Sequence, residues 1–324
     1  MSHTINVVVS CTNRKRYPVQ KGLAIHEIAA HDLNSRARVW RKNIRTVAAP
    51  LYPASQLYMG DHWSIARTLA TALAPSGMSI RLWISSAGYG LISPDAPIKS
   101  YRATFSPGEQ DYFGSGINLG DSPGAARSWW QEICSIREGA LAVEPRNICE
   151  LGKASPRTPM LIVLSAHYLD AVLEEVLALL RSGFYRDHLS VLSSGFKDND
   201  ALLGENLLPC DARMQTAVGG VRTSLNVRLA RLLLGSLRGA RPSVAKLREL
   251  CSRIRTHEPQ CFDRQTLSDV DVACFITKAI AREPGSSQTA VLRHLRETNK
   301  ACEQSRFARI FKEVAASGKG GMYA

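Results

Sequence analysis

The chain lacks the features that would assign it quickly. None of its eight cysteines (Cys11, Cys134, Cys149, Cys210, Cys251, Cys261, Cys274, Cys302) forms a Cys-x-x-Cys pair. That spacing argues against a zinc ribbon or finger, and no metal or cofactor is expected. A chain of 324 residues can bury a large core without a disulfide framework, so most thiols are expected to be buried small hydrophobes. No apolar run approaches the roughly eighteen residues needed to span a bilayer. The start, Met1-Ser2-His3-Thr4-Ile5-Asn6, has neither the basic nor the long apolar region of a secretory signal. A cytoplasmic protein with no membrane partner is therefore expected. There is no internal repeat and no low-complexity tract.

Acidic residues are scarce as well. Twenty-eight Asp and Glu face 41 Lys and Arg, giving a formal charge of +13 and a pI of about 9.6. The surplus is concentrated: residues 1–50 carry nine cationic side chains and two acidic ones. Such clustering favours a polyanionic partner through phosphate neutralisation and counterion release.

Four short segments rich in Val, Ile and Leu predict buried strands: 5–10 (INVVVS), 80–85 (IRLWIS), 160–165 (MLIVLS) and 189–193 (LSVLS). Continuous apolarity is the mark of strands covered on both faces. A fifth strand is expected at 44–48. Helical periodicity appears over 22–40, 62–73, 125–136 and 169–180. The alternation predicts an α/β fold, a mainly parallel sheet flanked by helices. Loops 106–123 and 138–159 are long enough to be lids or binding loops. Beyond Phe196 the pattern turns helical, over 223–237, 243–255, 266–282, 288–296 and 302–316, before the glycine-rich tail 317–321. Two regions are expected: an α/β body over 1–196, and a mostly helical 197–324 that completes the core and contacts DNA.

Four stretches carry chemistry. In 84–105 an apolar strand runs into Ser85 and Ser86, then into Gly88 and Gly90 straddling Tyr89, and on to Tyr101-Arg102. Ligands in open α/β sheets bind beyond the carboxyl ends of strands. The two serines and the glycine amides are expected to hydrogen-bond a planar base or its phosphate, with Tyr89 or Tyr101 stacking on the ring. The plainer alternative is a turn plugged by Tyr89. In Ser10-Cys11-Thr12-Asn13-Arg14-Lys15-Arg16-Tyr17-Pro18, three cations follow a cysteine at a strand end. They either activate Cys11 as a nucleophile or grip phosphate. In Tyr58-Met59-Gly60-Asp61-His62-Trp63, Asp61 is placed either to cap a helix or to act as a general base. Successive helical residues diverge by about 100°, so Asp61 and His62 do not readily face one ligand. In 288–316, two amphipathic helices flank Thr298-Asn299-Lys300, a layout shared by helix-turn-helix readers and by helix pairs that only cap a core.

The sequence Tyr58-x-Gly60-Asp61, then Ser86-Ala87-Gly88-Tyr89-Gly90-Leu91-Ile92-Ser93-Pro94-Asp95, Ile98 and Tyr101-Arg102 resembles the YaaA-like (DUF328-related) family. That pattern is "G-D" followed by "S-x-x-Y-G-L-x-x-P-x-D-x-I-x-x-Y-R", and it covers the first third of the chain. Its members are DNA-binding proteins linked to peroxide stress, with an α/β-like body and a basic cleft. The length, the added helical half and Ser10-Cys11-x-x-x-Lys15 resemble more narrowly the DpdC group of bacterial clusters that place 7-deazaguanines in DNA. The Cys-x-x-x-Lys element is also similar to the Pro-Cys-x-x-x-Lys-Pro-Tyr-Ser motif of archaeosine synthase, with Ser10 replacing the proline and Arg16-Tyr17-Pro18 replacing Pro-Tyr-Ser. The resemblance implies hydration of the nitrile of 7-cyano-7-deazaguanine in DNA to the amide. Cys11 would add to the nitrile carbon, or Asp61 would deprotonate a water while Lys15 or Arg14 stabilises charge on nitrogen. Arg14, Arg16 and Arg102 would hold flanking phosphates. A non-enzymatic DNA-binding protein, or a subunit docking on other DNA-modification proteins, are the rival expectations.

Overall fold

The computed structural model describes residues 3–117, 119, 124–255 and 264–319. Cys261, part of the expected loop 106–123, and Gly320-Gly321 of the expected tail lie outside the described residues. In chain order the strands are β1 (His3–Ser10), β2 (Leu51–Pro53), β3 (Met78–Ser86), β4 (Gly90–Ile92), β5 (Pro97–Lys99), β6 (Met160–Val163), β7 (Leu189–Leu192), β8 (Gln265–Thr266) and β9 (Lys300–Ala301). The α-helices are α1 (Leu33–Thr46), α2 (Ala54–Leu57), α3 (Asp61–Ala66), α4 (Leu69–Leu73), α5 (Ala125–Cys134), α6 (Ile148–Ala154), α7 (Ala166–Leu180), α8 (Gly183–His188), α9 (Gln215–Val218), α10 (Leu225–Ser236), α11 (Val244–Ile254), α12 (Asp269–Arg282), α13 (Gln288–Glu297) and α14 (Gln304–Lys319).

The main sheet has the order β4-β3-β1-β6-β7. β1 lies parallel to both β3 and β6, and β6 to β7; β4 alone runs antiparallel, returning from β3 through a tight hairpin. The fold is thus α/β with a mainly parallel sheet flanked by helices. Val7, Val8 and Val9 are fully buried at its centre, as continuous β-branched runs in a two-sided sheet should be.

Three expectations change. Residues 44–48 are not a strand: Ile44 ends the buried stripe of α1 with Ala37 and Trp40, spaced at the helical period. The expected helix 62–73 breaks at Thr68, whose hydroxyl turns back onto the carbonyls of Ser64 and Ile65. The chain also divides later than residue 196. Its two compact units are Met1–Pro259 and Gln260–Ala324, because α10 packs on β6 and α11 on β7 and so join the first core.

Indole hydrogen bonds pin the helices to the sheet hairpin. Trp40 donates to Gly88 O at 2.8 Å and Trp129 to Ala87 O at 2.9 Å. Trp63, Trp83 and Trp130 donate to Ser55 O, Asn6 Oδ1 and Glu175 Oε1. A buried indole N–H needs such an acceptor. The second unit has its own core, in which Val272, Ile276, Val291, Leu295 and Phe307 are buried together. Asp269 at the start of α12 pairs with Arg306 and Arg309 of α14.

Candidate active site

β1 ends at Ser10, opposite Ser85 in the register with β3. The Cys11 amide then donates to Ser85 O at 2.9 Å, so the thiol emerges at the carboxyl end of the central strand. The loop that follows is stitched to the second stretch of interest. Arg16 N donates to Leu57 O, Met59 N to Arg14 O, and Lys15 bridges to Tyr58. The segments around Cys11 and Tyr58 are therefore one structural feature.

Lys15 folds inward over this feature. Its Nζ lies 4.2 Å from the Tyr101 ring centroid and 5.5 Å from that of Tyr58, and donates to Thr12 O at 2.8 Å. Burial lowers its pKa to about 8, against the raising influence of Cys11 and Asp111, with nearby Arg102 lowering it further. An amine of that pKa can take and return a proton near neutrality. Cys11 is 5% exposed, and its thiol lies 3.3 Å from the Tyr168 hydroxyl. The Tyr58 and Tyr101 hydroxyls are 3.0 Å apart, and Ser86 Oγ is 2.7 Å from that of Tyr101. Burial pushes all three phenols well above their usual pKa, so they serve as neutral hydrogen-bonding groups.

Ser86 and Lys15 thus both contact Tyr101, and Cys11 contacts Tyr168 at the adjacent strand end. The rest of the 84–105 stretch does not form an open pocket wall. Ser85, Ser86, Gly88, Tyr89, Gly90 and Tyr101 are all buried. The Gly88 and Tyr89 amides donate to Ser86 Oγ, and Gly90 sits in the β3–β4 ladder opposite Ser86. A Cβ on Gly88 would meet the Tyr101 ring at 2.6 Å, so glycine is needed there for side-chain packing. Tyr89 stands edge-on to Tyr101, and its hydroxyl accepts from Lys99 N at 3.1 Å; it is the plug. The Ser85 hydroxyl is buried with no hydrogen-bond partner.

Asp61 is also placed differently. Gly60, with φ of 101°, is the cap, and Asp61 is the first residue of α3. Its carboxylate accepts from Ser224 Oγ at 2.5 Å and from Arg228 Nη2 at 2.9 and 3.0 Å. The Ser224 hydrogen bond foremost, with Arg228, holds its pKa below the usual carboxylate range, which makes Asp61 a weak base and a clamp onto α10. His62 diverges from it, donating from Nε2 to Ser10 O at 3.2 Å; burial lowers its pKa. Arg14, Arg16 and Arg102 are exposed around Lys15, and Arg102 is backbone-paired with Ala24.

Sequence reasoning did not single out Tyr168, His26 or Asp111. His26 Nδ1 lies 2.6 Å from Asp111 Oδ1. Asp111 is fixed by backbone bonds to Thr104, and its loop by Arg36, which donates to Phe113 O and Ser115 O. Asp111 and Tyr168 sit far from Cys11 in sequence, and no local signal marks them or His26.

No family model, curated protein or solved structure matches the chain.

A first expected result concerns Lys15. The folded pKa lies below the 10.5 of an unperturbed lysine, so the unfolded state binds more protons between about 8 and 10.5. Stability of the parent chain therefore rises with pH across that window. Lys15→Met, which keeps the stem and removes the charge, should raise unfolding free energy at pH 7 by about 0.5–2 kcal/mol. The gain should fade toward pH 10.5. Urea melts at both pH values check this; an unchanged or lowered stability at pH 7 would count against a desolvated ammonium.

Proposed function

We propose that the chain is a DNA-modification enzyme that hydrates the nitrile of 7-cyano-7-deazaguanine in DNA to the amide. The observation that carries this is the Cys11 thiol at the strand end, with the Lys15 amine of the same loop folded inward over the Tyr101 ring and its pKa lowered to about 8. Hydration needs a nucleophile for the nitrile carbon and a proton for its nitrogen. The Lys15 amine takes the thiol proton, and sulfur bonds to the nitrile carbon. The π electrons move to nitrogen, which takes the proton back from Lys15. The resulting thioimidate adds water, and collapse breaks the C–S bond to release the amide and restore the thiol. With Asp61 committed to Arg228, the thioimidate route is preferred to direct deprotonation of water. The base has to leave the duplex stack to reach a strand-end thiol. Mass spectrometry of nucleosides, after incubating the protein with DNA carrying the cyano base, tests the reading. Amide is expected, and an unchanged base sinks it.

The packing of Tyr101 against Gly88 favours a second reading, a YaaA-like protein that binds DNA without chemistry. Both readings place phosphates on Arg14, Arg16 and Arg102. Replacing all three by alanine should weaken duplex binding and flatten its dependence on log salt by about 0.9 for each phosphate no longer neutralised. A salt titration by fluorescence anisotropy checks it; an unchanged slope removes these arginines from the interface.

A further inference from the structure

We infer that His26, oriented by Asp111, is the base that delivers water to the Cys11 adduct; this rests on the nitrile-hydrating reading. The Asp111 carboxylate lies 2.6 Å from His26 Nδ1; with a proton held on Nδ1 against it, Nε2 of the neutral ring is the nitrogen able to take a proton. The ring is 28% exposed while the carboxylate is 8% exposed. One end of the pair is therefore anchored in protein and the other is within reach of solvent water.

Hydrogen bonds tie the segments that carry this dyad to those that carry Cys11 and Lys15. Ile25 N donates to Arg102 O at 2.9 Å, and Arg102 N to Leu23 O at 2.8 Å. His26 thus follows a segment laid along Arg102, next to the Tyr101 ring that carries the Lys15 amine. Asn13, two residues after Cys11, donates to Glu109 at 3.3 Å, tying the thiol's loop to the loop that holds Asp111. Thr104 pairs through its backbone with Asp111 and Phe113, and the next residue, Phe105, packs edge-on against Tyr168, the phenol that contacts the thiol. Asp111 and Cys11 act electrostatically on one amine, that of Lys15.

The chemistry divides accordingly. Lys15 serves the addition of sulfur. In the second half, water oxygen bonds to the thioimidate carbon, and one water proton passes to His26 Nε2. The C=N π pair moves to nitrogen, which takes that proton from the imidazolium. In collapse the hydroxyl oxygen forms C=O, the C–S pair returns to sulfur, and the hydroxyl proton passes through Lys15 to the thiol. The sum is nitrile plus water giving amide.

The test uses the full chain and an oligonucleotide carrying the cyano base, with covalent protein–DNA species read on denaturing gels and amide read by nucleoside mass spectrometry. For His26→Gln and for Asp111→Asn, amide release should fall by about 100-fold, and the Cys11-linked species should accumulate to about tenfold above the parent. Cys11→Ala should give neither. Parent-like turnover in His26→Gln overturns the assignment of His26 while leaving the nitrile reading intact. Loss of both adduct and amide in His26→Gln and Asp111→Asn also overturns it, since the dyad would then be needed for addition. Absence of amide from the parent overturns the nitrile reading and this inference together.

Discussion

Cys11→Ala is expected to lower conversion of the cyano base by about four orders of magnitude, a loss of the size seen when a covalent nucleophile is removed. The substitution should leave the fold intact. The thiol is small, and Tyr168 keeps its edge-on packing against Phe105 after the sulfur is gone. The buried volume removed is one sulfur, so the stability cost should stay near 1 kcal/mol, at the small end for core truncations. Nucleoside mass spectrometry gives the rate and a urea melt gives the stability. A folded Cys11→Ala protein that still forms amide at the parent rate would remove the thioimidate route and return attention to direct attack by water.

The largest effect on stability is expected at Arg146. Its guanidinium is fully buried and donates to Ile136 O at 3.0 Å, Leu91 O at 2.6 Å and Tyr89 O. Its own carbonyl accepts from Leu91 N at 2.9 Å. One side chain thus closes the open backbone groups on the outer side of the β3–β4 hairpin, the edge of the sheet. Burial lowers its pKa, yet an arginine remains charged under all ordinary conditions. Arg146→Met fills much of the space but leaves three carbonyls without a donor, at about 3–5 kcal/mol, the usual cost of breaking a buried charged network. Tyr89 and Gly90 would loosen with it, and through them the packing of Tyr101 under Lys15. Denaturant unfolding measures this; a loss below about 1 kcal/mol would mean that the carbonyls find other partners.

The parallel strands were legible because β1, β3, β6 and β7 are dense in branched and apolar residues, with only isolated polar ones such as Asn6, Arg81 and Ser190 between them. β4 was not, because three residues beginning with glycine leave no periodic trace. Ile44 misled because its neighbours look strand-like; only its spacing from Ala37 and Trp40 shows a helix. Residue 196 marks a real change in composition, but α10 and α11 bury their apolar faces on β6 and β7, and composition does not reveal which core a helix joins. At the site, the Cys11–Lys15 spacing was readable, since both lie in one loop. The partner that captures Asp61, Arg228, is 167 residues away, and Tyr168 reaches Cys11 across 157. Such pairings depend on strand order. The serine–glycine–tyrosine stretch was correctly placed at a strand end, but sequence could not show that Tyr101 fills the space Gly88 leaves.

The placement of the indoles has a practical corollary. All five tryptophans, at positions 40, 63, 83, 129 and 130, belong to the unit ending at Pro259. Intrinsic emission excited at the indole band therefore arises only from the unit ending at Pro259. A single smooth optical transition reports the unit that holds the indoles and does not demonstrate that the whole chain unfolds as one.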